Sequence, residues 1–344
     1  MSHIVTLESH LAKCAQENPA LAAACEGVAA AAAASAELSL LIGLGSLAGA
    51  TGATVGRNTD GDQQKALDVR AQEIFMRHLR EAPVAAIASE EADEWLLLDA
   101  EKPLAVAFDP LDGSSNIDSN MSIGTIFSIR PATGAANPFA GPGSGQIAAG
   151  FVVYGPQTTL ALTLGSGVDI FTLDRRDQTW RLTAERVRIP AGATEYAINA
   201  SNYRHWEEPV RTYIDDCLNG SEGPRAKDFN MRWIGSLVAE ALRILMRGGV
   251  FLYPADARQG YREGRLRLLY EAHPMALVME WAGGSATTGR RRILELGAKT
   301  PHQRVPLIMG SVRGVRDVAA IHEGIEPMFD NSDAPLFARR GLFR

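Results

Sequence analysis

The sequence predicts a mixed α/β (α+β) protein on three observations. Two long stretches near the start are patterned as helices. Short apolar runs then follow one another closely, and beyond residue 190 strand-like and helix-like segments alternate. Of 344 residues, 46% are hydrophobic and 22% charged, enough apolar material for a large core and far from a disordered composition.

The elements follow in order. Ala20 to Leu41 is rich in strong helix formers, has no internal proline, and stops at Gly43-Leu-Gly45. Lys65 to Arg80 places Leu67, Ala71, Ile74, Phe75 and Leu79 at helical spacing. Val84 to Ile87, Leu104 to Phe108 and Ile123 to Ile129 are apolar runs of strand length. After a Gly/Pro-rich loop at Pro138 to Gly145, the runs Ala148–Tyr154, Thr159–Leu164 and Asp169–Leu173 predict an antiparallel meander. Pro190 to Gly192 marks a boundary between an N-terminal domain, 1–190, and an α/β domain, 191–344. In the second, strands are expected at Tyr196–Asn199, Val250–Tyr253, Arg265–Tyr270 and Val305–Met309. Helices are expected at Glu207–Leu218, Ser236–Arg247 and Pro274–Ala282.

Composition excludes several functions. Lys plus Arg number 34 against 40 Asp plus Glu, so the net charge of -6 rules out a polycationic nucleic-acid binder. Cys14, Cys25 and Cys217 form no CxxC pair or metal-like spacing, and the seven histidines form no HxxxH or HExxH. Sparse, odd cysteines suit a reducing compartment. The alanine-rich stretch from Ala20 to Ala53 is interrupted by Glu26, Glu37, Gly43, Gly45 and Gly49, and Met1 to Glu8 has no basic region. The expectation is a cytoplasmic protein without membrane or nucleic-acid partners. Gly43-Leu-Gly45-Ser-Leu-Ala48 matches a dinucleotide fingerprint, but a helix precedes it where the fingerprint needs a strand.

Chemistry is concentrated in carboxylates near predicted element ends: Asp62 and Asp68, Glu90 and Glu91, Asp109 and Asp112, and Glu271. Any one alone is an ordinary turn or N-cap residue. Together, directly after buried strands, they are costly unless neutralised, and an all-oxygen set from several segments suits Mg²⁺ or Mn²⁺. Asp109 and Asp112 sit three apart across a proline-stiffened turn, with the Leu111 carbonyl expected to face inward. Gly113, Ser114 and Ser115 follow where a helix could begin and present N–H groups to an anion.

The segments FDPLDGSSNID (Phe108–Asp118), GDQ…LD (Gly61–Asp68), SEE (Ser89–Glu91) and LRLLYE (Leu266–Glu271) resemble class I fructose-1,6-bisphosphatase of the bacterial type. The aspartate motif alone is shared across metal-dependent sugar and inositol phosphatases. GGVFLYP (Gly248–Pro254), YEAHPMALVMEWAGG (Tyr270–Gly284) and ATTG (Ala286–Gly289) narrow the likeness, which runs in order from about Arg57 to Ser311. The resemblance implies the layered αβαβα sandwich of the metal-dependent sugar phosphatase type and Mg²⁺-dependent hydrolysis of the 1-phosphate of fructose 1,6-bisphosphate. The pathway would be gluconeogenesis or a carbon-fixing pentose cycle.

It further implies that Glu90, Glu91, Asp109, Asp112, Glu271 and the Leu111 carbonyl hold two or more Mg²⁺ ions. Asp62, Asp68 and Glu91 would orient and deprotonate water, and Asp112, Gly113, Ser114 and Ser115 would bind the reacting end of the substrate. Asn199, Arg232, Tyr253, Arg265 and Tyr270 match positions that contact the sugar and the 6-phosphate, the arginine in the neighbouring subunit of a homotetramer.

Departures from the family pattern are Arg265 for lysine, Trp233 and Asn202 for tyrosines, and Pro103-Leu104 for a Lys-Tyr pair of the AMP-inhibition site. AMP inhibition by that route is expected to be absent or altered. The changed remote-end contacts keep sedoheptulose-1,7-bisphosphatase activity as the alternative. A non-catalytic sugar-phosphate sensor is the other, although every metal carboxylate is retained.

Overall fold

The computed structural model describes residues 5–49, 52–57, 63–132 and 136–327. The chain begins with α1 (Leu7–Glu17) and α2 (Ala22–Leu44), followed by a paired β1 (Thr54–Arg57) and β2 (Gln63–Lys65) and then α3 (Ala66–Glu81). A large sheet is built from β3 (Val84–Ser89), β4 (Leu96–Leu97), β5 (Leu104–Asp112), β6 (Ile123–Pro131), β7 (Ala148–Tyr154), β8 (Thr158–Thr163), β9 (Asp169–Asp174) and β10 (Thr179–Ala184). Its order is β10-β9-β8-β7-β6-β5-β3-β4, antiparallel except for β3 beside β5.

The second half contributes β11 (Glu195–Ala197), α4 (Glu208–Leu218), β12 (Asn230–Met231), α5 (Leu237–Arg247), β13 (Val250–Tyr253) and β14 (Leu266–Arg267). It ends with α6 (His273–Trp281), β15 (Ser285–Thr287), β16 (Arg304–Val305), β17 (Leu307–Gly310) and α7 (Val312–His322). A smaller sheet has the order β12-β11-β13-β17-β15, and β14 pairs with β16 apart from it.

Three cores define the five layers. Helices α1, α2 and α3 cover one face of the large sheet with Val28, Leu38, Phe75 and Leu79 against Val106, Phe127 and Val152. The other face of that sheet, through Ile126, Phe151 and Ala161, packs on Val238 and Leu245 of α5 and on Met275 and Met279 of α6. These two helices in turn meet Phe251 and Met309 of the small sheet, whose far face is closed by Tyr213 of α4 and Val315 of α7. The two halves of the chain therefore share their central core.

The small residues of α2 have a packing reason. A Cβ at Gly27 would lie 3.0 Å from Ile129 and 3.1 Å from Leu104, so the helix backbone sits close on β5 and β6. By length and composition this helix could cross a membrane, yet its buried face carries Ala24, Val28, Ala31, Ala34 and Leu38 into the core. Helix α2 runs to Leu44 and is closed by Gly45, so a helix precedes the glycine motif.

The structure adds α1, β10 and α7, which the sequence patterning left unassigned. It also corrects three expectations. The strand expected at Arg265–Tyr270 is only Leu266–Arg267, after which Leu268–Ala272 forms a π-helical turn leading into α6. The strand expected at Val305–Met309 is split between two sheets at Pro306, which has no N–H to give a ladder. The Asp109–Asp112 segment is the end of a strand rather than a turn.

Candidate active site

Two residues of β5, Pro110 and Leu111, stand opposite Thr125 alone on β6, because Asp109 pairs with Ile126 and Asp112 with Gly124. This bulge re-aims the strand end. Thr125 Oγ1 donates to the Pro110 carbonyl at 2.9 Å, and the Leu111 N–H donates to Asp109 Oδ1 at 2.8 Å. Asp112 Oδ2 accepts from the Val238 N–H at 3.1 Å and from Ser236 Oγ at 3.2 Å, so it lies at the N-terminus of α5. Glu271 enters from the π-helical turn, a feature often found at functional positions, and its Oε2 accepts the Arg267 N–H at 2.5 Å.

One carboxylate oxygen from each of Asp109, Asp112 and Glu271 lies within 4.8 Å of the other two, and the three residues are buried at 3%, 8% and 4% exposure. Burial, then the charges of Glu90 and Asp112, holds Asp109 and Glu271 well above the ordinary carboxylate range. Burial likewise pushes Asp112 up to about 6, against the pull of its hydrogen bonds from Val238 and Ser236.

Glu90 follows β3, its N–H held by the Phe108 carbonyl at 3.1 Å and its carboxylate 2.8 Å from Arg267 Nη1. Beside it, the Glu91 N–H donates to Ser89 Oγ at 3.3 Å. Asp68 sits in the first turn of α3, its Oδ2 accepting the Lys65 N–H at 2.7 Å while Oδ1 is buried without a partner. Burial, with the charges of Glu91 and Glu90 adding to it, raises Asp68 to about 7. An all-oxygen set of crowded, raised carboxylates with an unpaired buried oxygen fits a hard divalent cation, which would reward the charged forms that burial penalises. Asp62 lies outside the described residues.

Next to this cluster, Gly113 adopts φ 78°, and a Cβ there would lie 3.3 Å from Ser236. It opens the 3-10 turn Ser114–Ser119, with Ser114 half-buried and Ser115 exposed. Tyr253 ends β13; burial raises its pKa, with Glu271 and Asp112 adding to the rise and Arg265 opposing it. Arg265 Cζ stands 5.6 Å from the Tyr253 ring and 4.4 Å from that of Tyr261. Trp233 stacks on Phe251 at 6.1 Å and lies 6.0 Å from Tyr253. Aromatic rings and an arginine thus flank the carboxylates.

Arg232 and Asn199 make their contacts at the small sheet. Arg232, half exposed, has Nε 3.8 Å from Glu195, and Asn199 Oδ1 accepts from Ser201 N and Oγ. Tyr270 lies apart from these. Its side chain is 0% exposed, packed with Ala86, Ala107, Phe139 and Leu269, because the π-helical turn that brings Glu271 to the cluster drives Tyr270 into the core. Sequence reasoning missed Arg267, Ser236 and Tyr261. For Arg267 the available signal was a cation inside an otherwise apolar run that ends in a metal-type carboxylate.

Two family models match the chain: "Fructose-1-6-bisphosphatase, N-terminal domain" over residues 20–185 and "Fructose-1-6-bisphosphatase, C-terminal domain" over 189–323. The chain belongs to the class I fructose-1,6-bisphosphatase family. A "Fructose-1,6-bisphosphatase class 1" of Rhodopseudomonas palustris (strain HaA2) is 63% identical over 318 residues, 92% of each chain. One from Nitrobacter hamburgensis is 59% identical over 345 residues, 100% of each chain. The solved holo structure of Leishmania major fructose-1,6-bisphosphatase superposes with a TM-score of 0.86 at 34% identity, covering 93% of this chain and 99% of that one. That likeness gives this bisphosphatase family member the sugar phosphatase fold expected of its sequence.

Proposed function

We propose that the chain hydrolyses the 1-phosphate of D-fructose 1,6-bisphosphate, releasing fructose 6-phosphate and phosphate, with two or more Mg²⁺ per subunit and Mn²⁺ as a substitute. The observation that carries this reading is the convergence of Asp109, Asp112 and Glu271 within 4.8 Å, with the charge of Glu90 acting both on them and on Asp68. When bound, the metal ions offset the charge of a phosphomonoester and stabilise the attacking and leaving oxygens.

The residues of the chain divide the remaining work. Glu90, Glu91, Asp109, Asp112, Glu271 and the Leu111 carbonyl hold the ions. Asp68, raised to about 7, is poised to take a proton from water near neutral pH, with Glu91 and Asp62 assisting. The N–H groups of Gly113, Ser114 and Ser115 receive the reacting phosphate beside Asp112. Tyr253 and Arg265 meet the sugar and the 6-phosphate, with Asn199 in the same subunit and Arg232 reaching the site of a neighbour in a cytoplasmic homotetramer. Tyr270 is left out of this set by its burial.

A second reading, sedoheptulose 1,7-bisphosphate as substrate, is favoured by the remote end alone. Arg265, Trp233 and Asn202 replace the lysine and tyrosines of the family pattern, while the reacting end is unchanged. Phosphate release from both sugars, with Mg²⁺ and with a chelator, tests the two readings. Chelator-sensitive release from fructose 1,6-bisphosphate with the higher kcat/KM supports the first. A higher kcat/KM on the seven-carbon sugar selects the second, and silence on both from folded protein overturns the phosphatase reading.

A further inference from the structure

Turn 300–303, in the C-terminal half of the chain, touches both the segment that carries Glu271 and the one that carries Glu90 and Glu91. Pro301 stiffens its second position, and the Gln303 N–H donates to the Thr300 carbonyl at 3.2 Å. The Gln303 side chain braces it again, its Oε1 accepting the Lys299 N–H at 2.8 Å. From this support the Gln303 carbonyl accepts the Leu268 N–H at 2.7 Å, at the first residue of the π-helical turn that carries Glu271. The preceding residue, His302, reaches the other way. Its Nε2 lies 2.9 Å from the Ala92 carbonyl, one residue beyond Glu91.

A carbonyl only accepts, so the proton belongs on Nε2 and His302 is the donor. Nδ1 is buried with no hydrogen-bond partner among the described residues, so the imidazole makes a single directed bond. The ring is held against Tyr270, with centroids 5.5 Å apart, and Tyr270 is itself fixed in the core. The start of turn 90–91 is tied to the N-terminal half, where Ser89 Oγ donates to Gln72 Oε1 of α3 at 2.5 Å. Its end is held less closely there, the Ala92 N–H reaching the Ser89 carbonyl at 3.3 Å. The charge of Glu90 acts on Asp109, Asp112 and Glu271, and Glu90 and Glu91 both act on Asp68. Like charges of this kind push turn 90–91 away from the cluster until a cation offsets them, and His302 opposes that push.

We propose that His302 is a positioning residue of the metal centre. Through the Ala92 carbonyl it holds turn 90–91 in register with the π-helical turn, so that both acidic segments are in place before an ion arrives. The proposal rests on the reading that Glu90, Glu91 and Glu271 hold divalent ions. Ligands already in place bind an ion more tightly than ligands it must gather, because less ordering accompanies binding.

Mn²⁺ binding to the full chain, followed through the electron paramagnetic resonance signal of the free ion, tests the proposal without turnover. His302→Phe keeps a ring against Tyr270 and loses the donor. It should raise the Mn²⁺ dissociation constant about tenfold or more, as should His302→Ala. His302→Gln, whose amide can donate to the same carbonyl, should recover most of the loss. In phosphate release, the Mg²⁺ concentration for half-activation should rise in step, while KM for fructose 1,6-bisphosphate at saturating Mg²⁺ stays within about twofold of the parent. A side chain that only packs would lower the Tm in chelator and leave Mn²⁺ binding as it was. Asp112→Asn separates the two claims. If it leaves Mn²⁺ binding unchanged, the metal reading falls and the positioning role with it. If it weakens binding while folded His302→Phe and His302→Ala bind as the parent does, the positioning role alone is overturned. A His302→Gln variant as weak as His302→Phe would overturn it as well.

Discussion

Arg267 and Glu90 join the two halves of the chain at the carboxylate cluster: the guanidinium of the first lies 2.8 Å from the carboxylate of the second. The same residue's N–H holds Glu271, so one arginine on β14 sets a carboxylate after β3 and another in the π-helical turn. Replacing it by methionine leaves Glu90 without that partner in a largely buried setting. The expected cost without metal is about 2–4 kcal/mol, smaller with saturating Mg²⁺. Urea unfolding with and without Mg²⁺ measures it; an equal loss in both conditions would contradict a charge role for Arg267.

Asp112→Asn keeps an oxygen to accept from Val238 and Ser236 but removes the charge. Turnover should fall more than about a hundred-fold while the fold is retained. Circular dichroism and phosphate release check this, and turnover within tenfold of the parent would refute the metal-ligand role.

The metal-free protein should lose stability as pH rises. Asp112 at about 6 and Asp68 at about 7 bind protons more tightly folded than unfolded, where carboxylates titrate near 4. Their stabilising effect is complete below about pH 4 and is lost through the window from about 4 to 7. Mg²⁺ favours the ionised forms, so the Tm increase it causes should grow from pH 5 to pH 8. A shift that shrinks over that range would argue against metal binding at these carboxylates.

Arg265 sits over Tyr253 and Tyr261 at the side of the cluster. If it meets the 6-phosphate, Arg265→Gln should raise KM for fructose 1,6-bisphosphate about tenfold or more with kcat largely kept, and Arg265→Lys should restore most of the loss. An unchanged KM in Arg265→Gln removes it from the substrate site.

Gly124 faces Asp112 across the bulge, and a Cβ there would lie 2.1 Å from the Val152 carbonyl and 2.4 Å from Val238. Gly124→Ala should destabilise the protein by about 1–3 kcal/mol through overpacking of β6 against β7 and α5. A urea midpoint equal to the parent's would show that β7 and α5 can yield there.

Much was legible in the sequence because local rules reach that far. A run of strong helix formers located α2 and helical spacing located α3, apolar runs located β3 and β5 to β9, and the aspartate motif with LRLLYE named the three carboxylates that converge. Tertiary structure decided what depends on two distant segments at once. Tyr270 and Glu271 are neighbours in sequence, yet the π-helical turn sends one into the core and the other to the cluster, a direction no period-2 reading contains. Pro306 divides an apolar run between two sheets, and Asp109 and Asp112 lie on a bulged strand because Thr125 and α5 hold it so. The approach of His10 on α1 to Asp169 on β9 likewise exists only once the helix is laid across the sheet. Periodicity records which face of an element is apolar; what that face meets is set by packing, where burial and charge are shared among residues far apart in the chain.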